Sequence, residues 1–261
     1  MTKQSIVVGL AAKERAEASE QELRTVAEFR ELFIAILGHD LRNPLGSIVM
    51  GGASLLRRGN LDARDADTAK RIVRSGQRIT RMTTQLLDMT HARLPGGLPI
   101  EPAVTDMAEV CRNVVGEFAG KSIELEVHGP VTGIWDSDRV AQVLSNLVGN
   151  ALQHAASETC VGIDARVDGA EVVVEVRNQG DRIPSDLFPF IFEPFRRARP
   201  QEPSVTGNLG LGLYIAKQIV LSHGGSLDAS SSDSTTTFVM RLPKECARVE
   251  PNQTEGACTS H

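Results

Sequence analysis

Nine consecutive residues, Leu94-Pro95-Gly96-Gly97-Leu98-Pro99-Ile100-Glu101-Pro102, carry three prolines and two glycines, and no helix can run through them. Proline lacks the amide hydrogen that a helical turn needs and its ring clashes with the turn before it, while glycine loses the most entropy on ordering. The segment interrupts all hydrophobic periodicity, so the domain boundary belongs there. The expected layout is a helical domain over 1–93, a linker over 94–103, a second domain over 104–244 and a tail over 245–261. A chain of 261 residues suits two modest domains better than one large one.

Before the linker the pattern is helical. From about Ser19 to Arg57 the sequence reads as one long helix, charged at first and then apolar at Phe29, Phe33, Ile36, Leu37, Leu41, Leu45 and Ile48. Gly59-Asn60 and Asp62 make a turn, and a second helix runs from about Ala63 to Ala92. Ile72, Ile79 and Leu86 recur there at heptad spacing, as do Met82 and Met89. A hairpin with one wide apolar seam buries it by pairing, so a dimeric four-helix bundle is expected.

After the linker, helices (about Thr105 to Phe118, Ser137 to Ala156, Gly210 to His223) alternate with strands (Ile123 to Val127, Val161 to Val167, Val172 to Arg177, Thr237 to Leu242). That mixture predicts an α/β sandwich with helices on one face of a sheet, and an α+β class for the whole chain. The polar, aperiodic tail is expected to be disordered. There are no internal repeats.

Composition narrows the function. A net charge of -5 offers no basic field for nucleic acid. Cys111, Cys160, Cys246 and Cys258 are scattered without metal-ligand or disulfide spacing, which fits a reducing, cytoplasmic setting. The apolar run Ile6 to Ala12 follows a single Lys3 and stands at the lower limit of an export signal core, so export is not expected, and no stretch reaches the ~20 apolar residues of a membrane helix. About 30 residues before the core of the first helix are too few for a sensory domain.

Within the first helix, His39 lies about 200° round the axis from both Leu37 and Leu41, so it faces outward. Asn43 shares its face and Asp40 is adjacent. A neutral imidazole beside a carboxylate can act as a nucleophile whose tautomer the carboxylate holds, although spacing alone favours a solvated surface histidine. In the second domain, Asn146, Asn150 and His154 stand at successive i+4 positions on one helical face, which lines a cleft or meets water. Asn178-Gln179-Gly180-Asp181-Arg182-Ile183-Pro184 follows a strand and reads as a turn whose glycine allows close backbone approach. Gly207-Asn208-Leu209-Gly210-Leu211-Gly212-Leu213 opens a helix whose first amides can face an anion. Neither glycine run has the Gly-Lys-Ser/Thr of a P-loop or the spacing of a dinucleotide fingerprint.

Gly38-His39-Asp40-Leu41-Arg42-Asn43-Pro44-Leu45 resembles the phosphoacceptor box of sensor histidine kinases, His-Glu-Leu-Arg-x-Pro-Leu, with Asp40 in place of Glu. Asn146 to His154 resembles the N box of that family, with Gln153 where Lys is common. Asn178 to Pro184 is similar to its first glycine box, with Asn178 for Asp and Arg182 for Gly. Phe192-Glu193-Pro194-Phe195 resembles the F box, and Gly207 to Leu213 the second glycine box. The five motifs occur in family order over Phe29 to Pro243.

The resemblance implies that His39 is phosphorylated, that Asp40 acts as base, and that Asn43 supports dephosphorylation of a partner. It implies ATP held by Asn146, Asn150, Gln153, His154, Asn178, Gly180, Ile183, Phe192, Phe195, Arg197, Gly207, Leu209, Gly210, Leu211 and Gly212, with Mg2+ on Asn150 and Arg196 to Thr206 as a lid. It further implies a homodimer, transfer of the phosphoryl group to a response regulator receiver domain, and a linker that acts as a hinge, with transfer within one chain or across the dimer both open. A second reading keeps His39 in a phosphotransfer scaffold whose ATP site has degenerated at Asn178 and Arg182. A third, an ATP-driven switch of the gyrase and chaperone type, leaves the His39 box unexplained. His91, His128, His223 and His261 join no constellation and read as structural or surface residues.

Overall fold

The protein is described by a computed structural model covering residues 41, 43–93, 97–196 and 209–245. Two compact units emerge: Met1–Gly97 with Arg199–Leu211, and Leu98–Ala198 with Gly212–His261. The expected tail from 246 onward, and the part of the first helix before 41, lie outside the described residues.

In the first unit, helix α1 (residues 43–58) turns at Gly59, whose φ of +69° an L side chain rarely adopts, and leads into α2 (Ala63–His91). Asp62 caps α2, its carboxylate accepting from the Asp65 amide at 2.8 Å. The two helices close on small residues. A Cβ added at Gly52 would stand 2.6 Å from Val73 Cγ2, and one at Gly76 would stand 2.6 Å from Val49 Cγ2. Leu41, Ile48, Leu55, Ile72, Ile79 and Leu86 remain exposed along the hairpin. No helix among the described residues is long and apolar enough to cross a membrane.

The second unit holds a five-stranded sheet in the order β2-β4-β5-β7-β6 and a separate two-stranded sheet, β1-β3. The elements are β1 (Ala103–Asp106), α3 (Met107–Glu117), β2 (Ile123–His128), β3 (Thr132–Trp135), α4 (Ser137–His154), β4 (Val161–Asp168), β5 (Glu171–Gln179), α5 (Gly212–Ser222), β6 (Ser226–Ser231) and β7 (Thr235–Pro243). Only the β2-β4 pair is parallel; the others run antiparallel. Strand alternation sorts the faces. Ile163, Ala165, Val174, Val176, Phe238, Met240 and Leu227 form the core side with Leu144, Leu147, Ile215 and Ile219 of the helices. On the other side Arg166 bridges Asp164 at 2.6 Å and Glu175 at 2.5 Å, and Arg177 meets Glu175 at 3.1 Å.

The α/β sandwich with helices on one face is therefore present, with three strands the sequence reading lacks: β1, β3 and β6. Thr105, read as the start of a helix, is in β1, and its hydroxyl donates to the Trp135 carbonyl at 2.9 Å. The helix begins after Asp106, whose carboxylate accepts from the Ala108 amide at 2.9 Å. Leu98, within the linker span, is buried in the second unit.

Leu147 has no exposed surface, so Leu147→Ala should cost about 2–5 kcal/mol of unfolding free energy in a urea titration. Burial pushes the Cys111 thiol up to about 12. A thiolate-directed reagent should therefore leave Cys111 unmodified in the folded chain at pH 8 and label it promptly in denaturant, read by peptide mass.

Candidate functional site

Burial fixes the rotation of α4. Val140, Val143, Leu144, Leu147, Val148 and Ala151 are all fully buried, so the polar row Asn146, Asn150 and His154 occupies another face, roughly 12 Å from first to last. Asn146 and Asn150 are half-buried, and Gln153 and His154 are exposed. Asp136 caps the helix, its carboxylate accepting from the amides of Arg139 at 3.0 Å and Glu101 at 2.9 Å.

The structure brings the end of β5 against the end of α4. Ala156 N–H donates to the Gln179 carbonyl at 2.7 Å, and Gly180 N–H donates to the Ser234 carbonyl at 3.0 Å. A Cβ at Gly180 would run into the His154 carbonyl oxygen and come within 3.3 Å of Asn178 Nδ2, so only glycine fits. Asn178 is 3% exposed. At the other end of the polar row, α5 begins at Gly212, where a Cβ would lie 3.2 Å from Asn146 Oδ1. The Nδ2 atoms of Asn146 and Asn178 are both buried with no hydrogen-bond partner. A buried amide left so forfeits about 1–3 kcal/mol, a cost that a polar ligand would relieve.

Ile183 is half-buried, and its amide donates to Ser231 Oγ at 3.0 Å. Arg182 forms an exposed ion pair with Asp233 at 3.4 Å on the β6-β7 turn. Phe192 stacks edge-on against Phe238 with centroids 6.4 Å apart, and Lys217 Nζ lies 4.7 Å from the Phe192 centroid. Phe195 is exposed and holds φ of +65°, a conformation a non-glycine residue adopts at a cost. Asn43 lies exposed in α1. Leu209, Gly210 and Leu211 belong to the first unit, with Gly210 at φ +72°. His39, Asp40, Arg197 and Gly207 lie outside the described residues.

One group escaped the sequence reading, and a second was read only as structural or surface. Lys217, one turn into α5, meets Phe192, and nothing in the local pattern singles it out. His223 is fully buried between two backbone groups; its place before Gly224-Gly225 at a helix end was the available signal. Elsewhere, Glu126, His128 and Asp164 offer ligand atoms within 4.8 Å of one another, but the Arg166 guanidinium already neutralises Asp164 at 2.6 Å.

With this geometry in hand, comparison with known proteins is direct. Residues 29–94 match the His Kinase A (phospho-acceptor) domain, and residues 135–245 match the histidine kinase-, DNA gyrase B-, and HSP90-like ATPase family. The chain is 35% identical over 243 residues to a bacteriophytochrome of Pseudomonas aeruginosa, covering 90% of this chain and 33% of that protein. It is 33% identical to a probable sensor histidine kinase, TcrY, of Mycobacterium tuberculosis, covering 81% of this chain and 45% of that protein. The solved catalytic domain of histidine kinase ThkA superposes with a TM-score of 0.50 at 27% identity, covering 56% of this chain and 97% of that domain. Full-length ShkA, solved in complex with AMPPNP, shares the fold at a TM-score of 0.64 and 24% identity, over 82% of this chain and 46% of that one. The chain spans between a third and half of the length of these two curated relatives. Taken with the paired amides of α4 and β5 and the helical hairpin, these matches mean that the chain belongs to the sensor histidine kinases of two-component systems.

Proposed function

We propose that this chain is an autophosphorylating histidine kinase: it binds ATP in the second unit and transfers the γ-phosphoryl group to His39. The observation that carries the reading is the pair of buried, unpartnered amides at either end of the α4 polar row, Asn146 beside Gly212 and Asn178 beside Gly180. A ligand that meets both ends is long and carries polar groups at each, as a nucleotide does. The match of residues 135–245 to an ATPase family supports the same reading.

Asn178 would receive the base, where its amide can both donate and accept. The first turn of α5 from Gly212 would offer amides to phosphate, and Lys217 lies on the same helix. A carboxamide oxygen is a hard ligand of the kind magnesium takes, so Asn150 fits a Mg2+ that would offset phosphate charge. The His39 imidazole nitrogen forms the new bond to phosphorus as the bond to the ADP oxygen breaks, and Asp40 accepts the imidazole proton. The product is a phosphoramidate with a high transfer potential, suited to an aspartate on a response regulator receiver domain; Asn43 would assist a phosphatase activity at that partner, in which water attacks the aspartyl phosphate and inorganic phosphate leaves. Ile72, Ile79 and Leu86, at heptad spacing and 47%, 48% and 52% exposed, support burial of the hairpin seam by a second copy.

Incubating the chain with magnesium and γ-labelled ATP should give an acid-labile, alkali-stable label that disappears in His39→Ala and in Asn150→Ala. No label from a folded, dimeric chain would sink the kinase reading in favour of a phosphotransfer scaffold. Gly180→Val must displace the His154 carbonyl, so its affinity for a fluorescent ATP analogue should fall at least about tenfold with little change in helix content.

A further inference from the structure

The two helices that bound the nucleotide site, α4 and α5, run antiparallel, because the end of α5 meets the start of α4 while the start of α5 meets the middle of α4. Each end has a close contact that marks the register. At one, Gly212 packs on Asn146. At the other, Asp136 N–H donates to His223 Nε2 at 3.0 Å, and His223 Nδ1 lies 2.8 Å from the Ile219 carbonyl. The two spans match: ten residues of α4 from Asp136 to Asn146 rise roughly 15 Å, and eleven residues from Gly212 to His223 rise roughly 16 Å.

His223 is held firmly enough to transmit this register. It has no exposed surface. The Gly224 amide donates to the Leu221 carbonyl and the Gly225 amide donates to the Val220 carbonyl, with Gly224 at φ +73°, so the helix ends in a Schellman motif. Gly225 is pressed against the Arg241 carbonyl, with no space for a Cβ. One ring nitrogen must donate to Ile219 and the other must accept from Asp136, so the neutral imidazole protonated on Nδ1 is the form that satisfies both. The residue accepted at this end, Asp136, is also the cap of α4.

We propose that His223 is a positioning residue for the nucleotide site, setting the axial register of α5 on α4 so that the Gly212 turn faces Asn146 and Asn150. The proposal rests on the ATP reading of that site. His223 touches no substrate and acts only through Asp136.

The two amide variants separate the tie from the helix-end bond. Glutamine places its carboxamide at the distance of Nε2 and can accept from Asp136, whereas asparagine reaches only the position of Nδ1 and can serve Ile219 alone. In the full-length chain, His223→Asn should raise the dissociation constant of a fluorescent ATP analogue about tenfold and raise KM for ATP while leaving the autophosphorylation rate at saturating ATP within about twofold. His223→Gln should recover the affinity to within about threefold. Amide exchange at Asp136, measured without nucleotide, should quicken in the Asn variant and not in the Gln variant. Equal affinities for the two variants, with the Asp136 amide released only in one, would overturn the positioning role while leaving the ATP site standing. Failure of the unaltered chain to bind the analogue would instead remove the nucleotide reading and this one together.

Discussion

The rotational setting of α4 is the constraint on which the second unit depends. Six fully buried apolar side chains on one side of that helix leave no freedom to turn it, because any rotation would exchange Leu144 or Leu147 for an amide in the core. The polar row is thereby aimed before any ligand enters the argument. The same packing explains why the β5 end can be so close: Gly180 and the His154 carbonyl share a space that any side chain would fill. Precision in this site comes from the apolar face, and chemistry comes from what that face pushes outward.

The hairpin follows a different logic. Its internal contact rests on Gly52 and Gly76, which bring two helices together over a narrow strip and leave long aliphatic side chains outside. Aliphatic side chains left outside at heptad spacing are the surface that a coiled-coil partner would cover. The described part of the hairpin thus leaves apolar side chains outside, whereas the ATPase-family unit closes over its own core.

Much of this was legible from the residues. Periodicity marked both hairpin helices, and the Pro/Gly run stopped all periodicity where the second unit begins near Leu98. The polar spacing of Asn146, Asn150 and His154 gave the α4 row directly. What stayed hidden was non-local. β1 and β3 are four-residue strands that exist because they pair with each other and because Trp135 is fully buried and anchored to the Pro243 carbonyl, 108 residues away. Thr105 has no helical or strand signal of its own strong enough to oppose its neighbours; its bond to the Trp135 carbonyl decides it. His223 was legible only as a residue before the Gly224-Gly225 helix end, since its two partners are backbone atoms that leave no pattern of side chains to read.

The charged outer face of the sheet carries one further consequence. The sheet does not close on itself, so β2 and β6 each present a row of unpaired backbone groups that another extended chain could extend. β2 displays Glu124, Glu126 and His128, and β6 is a six-residue strand bearing Asp228 and Ser230. A strand docking edge to edge would have to strip water from those groups, and on β2 it would also meet like charge. Charge along β2 therefore works against edge-to-edge pairing on that side of the sheet.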